Sequence, residues 1–403
     1  LTLNRFDIAR GQAKAWTILA RAYGAGRVAS TYLFYGPEGV GAWALAIEFA
    51  ALLNCEAPLG SPDQPDTRRP CGECRPCRSI YGLNFEGLHI LAPIPPYKLS
   101  GSDGDGINGD APVSSSRKDR DVFDLTNDAI EQKRRDPFSV LDRTRPISIP
   151  IELARKIKKH LAISGQAGIT RVVLFYQMET MRVASADALL KMIEEPPAGT
   201  VIILTANRPE SLLPTILSRA QKIRLERLPE SMVVEYLRER YSVSEKTALM
   251  LSRVCERSLG RAIATALSAE GEETDPRPVA LMMFKTLLTE PVTEVAAQMA
   301  ELMDFKDRGA AENLIKLWQS FVRDCAYLSS TSDETNLVNV DFQVEIRDLA
   351  PRFSDPDVVE RIVTTTKNTL ADLERTVHIQ PALIAMALKL KADLEAGRAD
   401  RAR

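Results

Sequence analysis

The stretch YLFYGPEGVGAWALAIEFAALL, residues 32–53, reads as a buried strand, a glycine-rich turn and an apolar helix. That layout is the one of a phosphate-binding P-loop, G-x-x-x-x-G-K-[ST]. Its glycines let backbone N–H groups close on an anion at a helix N-terminus. Gly36 and Gly41 stand at the two glycine positions with the right spacing, but the lysine position is Ala42 and the hydroxyl position is Trp43. In a working loop the lysine places charge on the β- and γ-phosphates and the hydroxyl ligates Mg²⁺. Ala42 supplies no charge, and an indole fills the place of the metal ligand. The strand–turn–helix context favours a degenerate P-loop over a chance glycine turn.

Working outward, TYLFY (31–35), RVVLFY (171–176), VIILT (201–205) and KIRL (222–225) are short apolar runs, each beside a helix-period segment. They predict a parallel sheet flanked by helices. In MRVASADALLKMIEEPP, Val183, Ala186, Leu189, Leu190 and Ile193 share one helical face and Pro196 stops the helix. An NTPase also needs acid at the end of a second strand, to hold Mg²⁺ and position water. At the end of RVVLFYQMETM, Tyr176 and Gln177 stand where an Asp-Glu pair is wanted, and Glu179 beyond them reads as a solvated loop residue. Nothing close by in the sequence offers a cation to replace the lysine beside Gly41. The chain is therefore expected neither to bind nor to hydrolyse ATP by itself.

At 403 residues the chain exceeds one ordinary core. It is 45% apolar and 26% charged with a net charge of -2, which excludes a polycation built to coat nucleic acid. No apolar run approaches the roughly 20 residues that cross a bilayer, and LTLNRFDIARGQAKAW lacks the layout of a signal peptide, so no membrane contact and a cytoplasmic location are expected. Cys55, Cys71, Cys74 and Cys77 fall within 23 residues, whereas Cys255 and Cys325 stand alone. The spacing C-x₂-C-x₂-C, with Cys55 sixteen positions upstream, suits a closed tetrahedral Zn²⁺ site of structural kind. His89 is a competing ligand on paper but reads as a packed residue on a strand edge. Arg68, Arg69, Arg75 and Arg78 around the knuckle read as a solvated face rather than a phosphate-binding one.

Residues 94–147 are rich in Gly, Asp, Ser and Pro and read as a mobile insertion, with a short helix from Asp121 to Arg135. DGDGINGD fails the calcium-loop pattern, because Ile107 and Asn108 occupy the places that need an oxygen ligand and a glycine. Beyond residue 226 strand signals fade. A small helical domain is expected over 228–270, an acidic linker over 269–278, an all-helical domain over 279–395 and a fraying tail. In TANRPESLLPTILSRAQKIRL, Ser218 and Arg219 precede a strand at a domain edge. By itself such an arginine is a surface ion-pair partner, although one in that place can serve a neighbour's phosphates.

Taken together, GQAKAWTILARAYGAGRVASTYLFYGPEGVG, the Cys₄ module, ASADALLKMIEEPPAGTVIILTANRPESLLPTILSRA, LIKLWQSFVRDCAYL and ERTVHIQPALIAMALKL resemble the AAA+ clamp-loader family of bacterial DNA polymerase III. The resemblance runs along nearly the whole chain. It implies an α/β P-loop (AAA+, RecA-like) domain with a parallel sheet over 1–227, carrying the zinc module at 55–77. A helical lid over 228–270 and an all-α collar over 279–395, joining subunits into a pentamer, would follow. The ATPase branch, gamma/tau, shares the fold and zinc module but keeps an intact P-loop and acidic pair. The departures at Ala42, Trp43, Tyr176 and Gln177 point to the delta-prime branch. The resemblance implies a non-hydrolysing stator whose partners are gamma/tau and delta subunits, the sliding clamp, and primer–template DNA through the assembled complex. Ser218-Arg219-Ala220 matches the family's Ser-Arg-Cys motif, so Arg219 is the implied arginine finger acting in trans. Thr205 and Asn207 fall in the sensor-one region, and Gly260, beside Arg261, takes the place of the lid's sensor arginine. The 94–147 insertion is longer than the family carries. Two other readings compete, an active AAA+ ATPase and a zinc-dependent DNA-binding protein with Cys55 to Cys77 as its reading head.

Overall fold

A computed structural model describes residues 11–61, 63–94, 122–141, 147–162, 168–181, 189–269, 276–302, 308–331, 334, 337–374 and 378–401. Two compact units emerge, one from the residues up to Ser242 together with Cys255–Ala264, the other from Val243–Val254 and the residues from Thr265 onward.

The first unit is an α/β layer structure. In chain order it holds α1 (Ala13–Gly24), β1 (Thr31–Tyr35), α2 (Ala42–Leu53), α3 (Arg75–Tyr81), β2 (Leu88–Leu91), α4 (Val122–Arg135), α5 (Ile151–Ala162) and β3 (Arg171–Phe175). There follow α6 (Leu190–Glu194), β4 (Thr200–Ala206), α7 (Pro214–Arg219), β5 (Gln221–Arg224) and α8 (Glu230–Tyr241). The five strands pair in parallel in the order β2-β3-β4-β1-β5. Leu33 of β1 lies between Leu204 of β4 and Lys222 of β5. The central strands are continuous apolar runs because helices cover both faces, and β4 is buried along its whole length. The four strands predicted from apolar runs are present within a residue or so. The fifth, β2, is a four-residue edge strand, LHIL, half-buried as far as Leu91; it is the strand edge on which the sequence places His89, there without a range.

Helix α2 is buried from Trp43 to Leu52, as a helix packed on the sheet must be. Its one carboxylate, Glu48, accepts a hydrogen bond from Tyr81 Oη at 2.9 Å. The helix expected before Pro196 is present as α6, with Leu189 and Ile193 buried; Val183 and Ala186 lie outside the described residues. The helix expected from Asp121 to Arg135 is α4, whereas DGDGINGD lies outside the described residues.

Where the sequence predicts three domains, the described residues pack as two units, and 228–270 is shared between them. The reason lies in the contacts. On α8, Tyr236 Oη donates to Asp136 Oδ2 at 3.1 Å, and its ring meets that of Phe138 edge-on at 5.2 Å, which ties α8 to the first unit. Ser258 Oγ donates to the Glu38 carbonyl at 2.7 Å and Gly260 N to that of Gly39 at 3.0 Å, so 255–264 belongs there too. Helix α9 (Glu245–Val254) packs in the second unit, where an Arg253 guanidinium N–H reaches the Leu337 carbonyl at 3.4 Å.

The second unit is helical throughout its described residues. After α10 (Leu259–Ala269) come α11 (Pro276–Thr289), α12 (Val292–Leu302), α13 (Arg308–Thr331), α14 (Gln343–Leu349), α15 (Pro356–Glu374) and α16 (Ile379–Arg401). Its core is an aromatic knot in which the Phe284 ring lies 5.9 Å from those of Trp318, Phe321 and Phe353. The buried Trp318 indole N–H donates to the Ala280 carbonyl at 3.0 Å. Asp324, buried on α13, accepts from the backbone N–H of Val338 and Asn339 at 3.0 and 2.8 Å, which pins the return loop before α14. The last helix, α16, runs to Arg401. Leu394 packs on the core, and the residues after it are mostly strong helix formers.

Candidate functional site

A glycine turn joins β1 to α2. Gly36 N donates to the Ala206 carbonyl at 3.2 Å, and a Cβ at Gly36 would stand 2.6 Å from the Leu225 carbonyl oxygen. Gly41 caps α2 with φ at 100°, a left-handed conformation that favours glycine. Ala42 opens the helix and Trp43 turns inward, its ring edge-on to that of Tyr176 at 5.1 Å. Gln177 also sits in left-handed backbone, at φ 54°. Its N–H donates to Thr205 Oγ1 at 2.8 Å and its amide reaches Glu38 Oε1 at 3.4 Å. Its buried Oε1 has no partner among the described residues. Glu179 is not the solvated loop residue expected; it is half-buried and accepts the Asn207 N–H at 2.9 Å, which ties the ends of β3 and β4 together.

The expectation that no cation stands near the loop is corrected. Lys133 of α4 is 3% exposed, with its ammonium 4.4 Å from the Tyr176 ring centroid and 5.6 Å from that of Trp43. It donates to the Ser139 carbonyl. Phe138 covers the loop so closely that a Cβ on Gly41 would lie 2.8 Å from its ring. The cation comes from some ninety positions downstream, which is why local inspection misses it. Spacing alone carries no signal for it: Thr126, Ile130 and Lys133 share one helical face, and only the structure shows Thr126 and Lys133 buried and Ile130 half-buried there.

Burial pushes the Lys133 ammonium down to about 7, against the pull of the Asp136 and Glu38 carboxylates. Since a free lysine titrates near 10.4, the unfolded chain holds the proton more tightly across that window. Stability is therefore expected to rise with pH between about 7 and 10, by up to ~1.4 kcal/mol per pH unit. Denaturant melts at stepped pH should show a steeper slope in the wild type than in Lys133→Met, which keeps the contribution of the lowered Cys71.

Arg219 ends α7 with its side chain 42% exposed and its Nε 2.9 Å from Glu194 Oε1. Its NH1 donates to the Thr215 carbonyl at 3.1 Å, and Ser218 Oγ donates to the same carbonyl at 3.1 Å. Arg261 stands next to Gly260 on the first turn of α10, and its N–H reaches Ser258 Oγ at 3.4 Å.

The four cysteine sulfurs of Cys55, Cys71, Cys74 and Cys77 lie within 4.8 Å of one another, and His89 is not among them. A tetrahedral zinc with Zn–S near 2.3 Å sets sulfurs about 3.8 Å apart, so the cluster is compatible with a closed metal site. Cys74 caps α3, which places Cys77 one turn on and inward. Cys71 N donates to Cys55 Sγ at 3.2 Å and Cys74 N to Cys71 Sγ at 3.3 Å, contacts that favour thiolate. Burial raises the Cys55 thiol. At Cys71 burial is outweighed by the N–H groups of Cys74 and Glu73 and the neighbouring thiols, which hold it down to about 7. Arg75 and Arg78 are exposed, while Arg68 is tied to the Gly60 carbonyl at 3.1 Å.

A parallel sheet in this order, with a glycine loop between its β1 and a buried helix, defines an AAA+-type P-loop domain. Residues 11–229 match the family described as DNA polymerase III, delta subunit, and the chain belongs to that family. Within it the chain is delta-prime-like. It is 29% identical over 213 residues to DNA polymerase III subunit delta' of Pseudomonas aeruginosa, covering 53% of this chain and 47% of that one. To the delta' of Escherichia coli K12 it is 26% identical over 246 residues, 61% of this chain and 57% of that one. DNA polymerase III subunit tau of Salmonella typhimurium is 29% identical over 259 residues, 63% of this chain and 31% of that one. The chain thus spans about half the length of the delta-prime relatives it matches. Among solved structures, a DNA polymerase III gamma subunit-related protein of Thermotoga maritima is 19% identical with a TM-score of 0.27, covering 61% of this chain and 80% of that one. No helix among the described residues is long and apolar enough to cross a membrane.

Proposed function

We propose that the chain is the non-hydrolysing stator of a bacterial DNA polymerase III clamp loader. It works in the cytoplasm beside gamma/tau and delta subunits, supports ATP-driven loading of the sliding clamp on primed DNA, and offers Arg219 to ATP held by a neighbour. One observation carries this reading. The places that grip phosphate and Mg²⁺ hold Ala42, Trp43, Tyr176 and Gln177, two of them aromatic and buried, while Arg219 stays half-exposed at a helix end. The site has lost its own chemistry and kept the group that serves another's. The Cys55–Cys71–Cys74–Cys77 cluster is assigned to one structural Zn²⁺, which would fasten the 55–77 lobe to α2 without an open position for catalysis. Arg68 is held on the Gly60 carbonyl at 3.1 Å, which leaves it occupied within the lobe and supports a structural over a DNA-reading role. Titration of the isolated chain with a fluorescent ATP analogue and Mg²⁺ should give no saturable binding below about 1 mM, that is, less than about 4 kcal/mol of affinity. Tight binding would return the chain to the active-ATPase reading.

A further inference from the structure

Three departures from a working nucleotide site converge on one segment. Trp43 stands at the metal-ligating hydroxyl position and Tyr176 at the acidic one, and both rings approach the Lys133 ammonium, at 5.6 and 4.4 Å. Gly260 stands where a sensor arginine is expected, and a Cβ there would meet the Phe138 carbonyl oxygen at 2.3 Å and Gly39 Cα at 2.9 Å. No side chain at 260 is compatible with the segment that follows α4.

We propose that the degenerate phosphate loop is an occupied cation site: residues 122–141 plug it, and the Lys133 ammonium, caged by Trp43 and Tyr176, takes the place of a nucleotide's divalent metal. Tryptophan and tyrosine faces are the strongest neutral side-chain partners for an ammonium shielded from water. Carboxylate and hydroxyl ligands suited to Mg²⁺ have been exchanged for rings suited to a soft organic cation. The plug is also wired internally. Gln132 Nε2 donates to the Val140 carbonyl at 2.8 Å, Phe138 N to Asp136 Oδ1 at 2.8 Å, and Ser139 Oγ to the Asp136 carbonyl at 2.8 Å. Phe138 lies over Gly41, where a Cβ would meet its ring at 2.8 Å. The proposal rests on the nucleotide-free half of the function above and not on Arg219.

Lys133→Ala removes the atoms of a propylammonium ion, so the cage can be refilled from solution. Hydrogen exchange of the zinc-loaded full chain at about pH 6, where Lys133 keeps its proton, followed in peptides over 36–45, is the readout. The wild type should exchange slowly and ignore MgATP, and Lys133→Ala and Phe138→Ala should each exchange on the order of tenfold faster. Propylammonium chloride should restore protection to Lys133→Ala, whereas sodium chloride at equal ionic strength and MgATP should not. Lys133→Met, which keeps the stem without the charge, serves should the alanine variant fail to fold, and propylammonium should leave it unmoved. Unchanged exchange in both Lys133→Ala and Phe138→Ala would overturn the plug. Protection of Lys133→Ala by MgATP would overturn the exchange of metal for ammonium. Protection of the wild type by MgATP would overturn both this and the nucleotide-free reading, while an inert Arg219→Ala would touch only the stator role.

Discussion

Replacing Arg219 with alanine should leave the chain folded and slow ATP hydrolysis at one neighbouring site by roughly 10³–10⁵. The two halves of that expectation have separate causes. The side chain is 42% exposed and its partner Glu194 35%, so the ion pair lost with it is screened by solvent and worth no more than about 1 kcal/mol. Its role in trans would be to place a planar cation on the charge that develops on a transferring phosphoryl group. Arg219→Lys should rescue little, because an ammonium keeps the charge but loses the two-pronged donor. The loader's steady-state rate will fall by less than the site does if other sites turn over independently. Single-turnover hydrolysis in the reconstituted loader is therefore the decisive measurement, with wild type, Arg219→Ala and Arg219→Lys compared. Equal rates in all three would leave a stator that organises neighbours without touching their ATP.

Much of the α/β unit was legible because its physics is local. A strand buried on both faces must be apolar without alternation, so TYLFY, RVVLFY and VIILT declare themselves. The glycine turn between β1 and α2 was legible for the same reason, since its glycines and the residues at its ends sit in one short stretch. Lys133 was not. Its inward position depends on α4 meeting Trp43 and Tyr176, residues far away in sequence, and a lysine among arginines reads as a solvated face. Glu179 was misjudged on the same ground, because its partner is the Asn207 N–H across the sheet's end. The division of 228–270 also escaped, since Gly260 and Gly39 are both visible in the sequence while their pairing across some 220 positions is not.

Loading with zinc should give one ion per chain, and stripping it should loosen the lobe around Cys55–Cys77 rather than the helical unit. Cys77 is wholly buried and Cys55 nearly so. Without a metal, four thiols must share a space in which burial raises Cys55 while its neighbours lower Cys71. A closed site repays that crowding by holding all four as thiolates, and structural zinc binds small modules with about 10–16 kcal/mol near neutral pH. Only part of that free energy is needed here, because α3 already packs on α2 and positions two of the ligands. A loss of about 3 kcal/mol or more would lower the first unit's melting temperature by about 6–12 °C, since each kcal/mol is worth about 2–4 °C in a unit of this size. The cysteines should rank by their surroundings. Cys77→Ser removes a ligand and leaves a hydroxyl in an apolar place, whereas Cys74→Ser removes a ligand at a partly exposed cap. Metal analysis by mass spectrometry, with melts of both variants, tests the order. Substituting the exposed Arg75 and Arg78 separates the remaining alternative, since a DNA-reading knuckle would lose binding with the metal still in place. A structural one would keep the loader's DNA association and lose it only when the lobe itself comes apart.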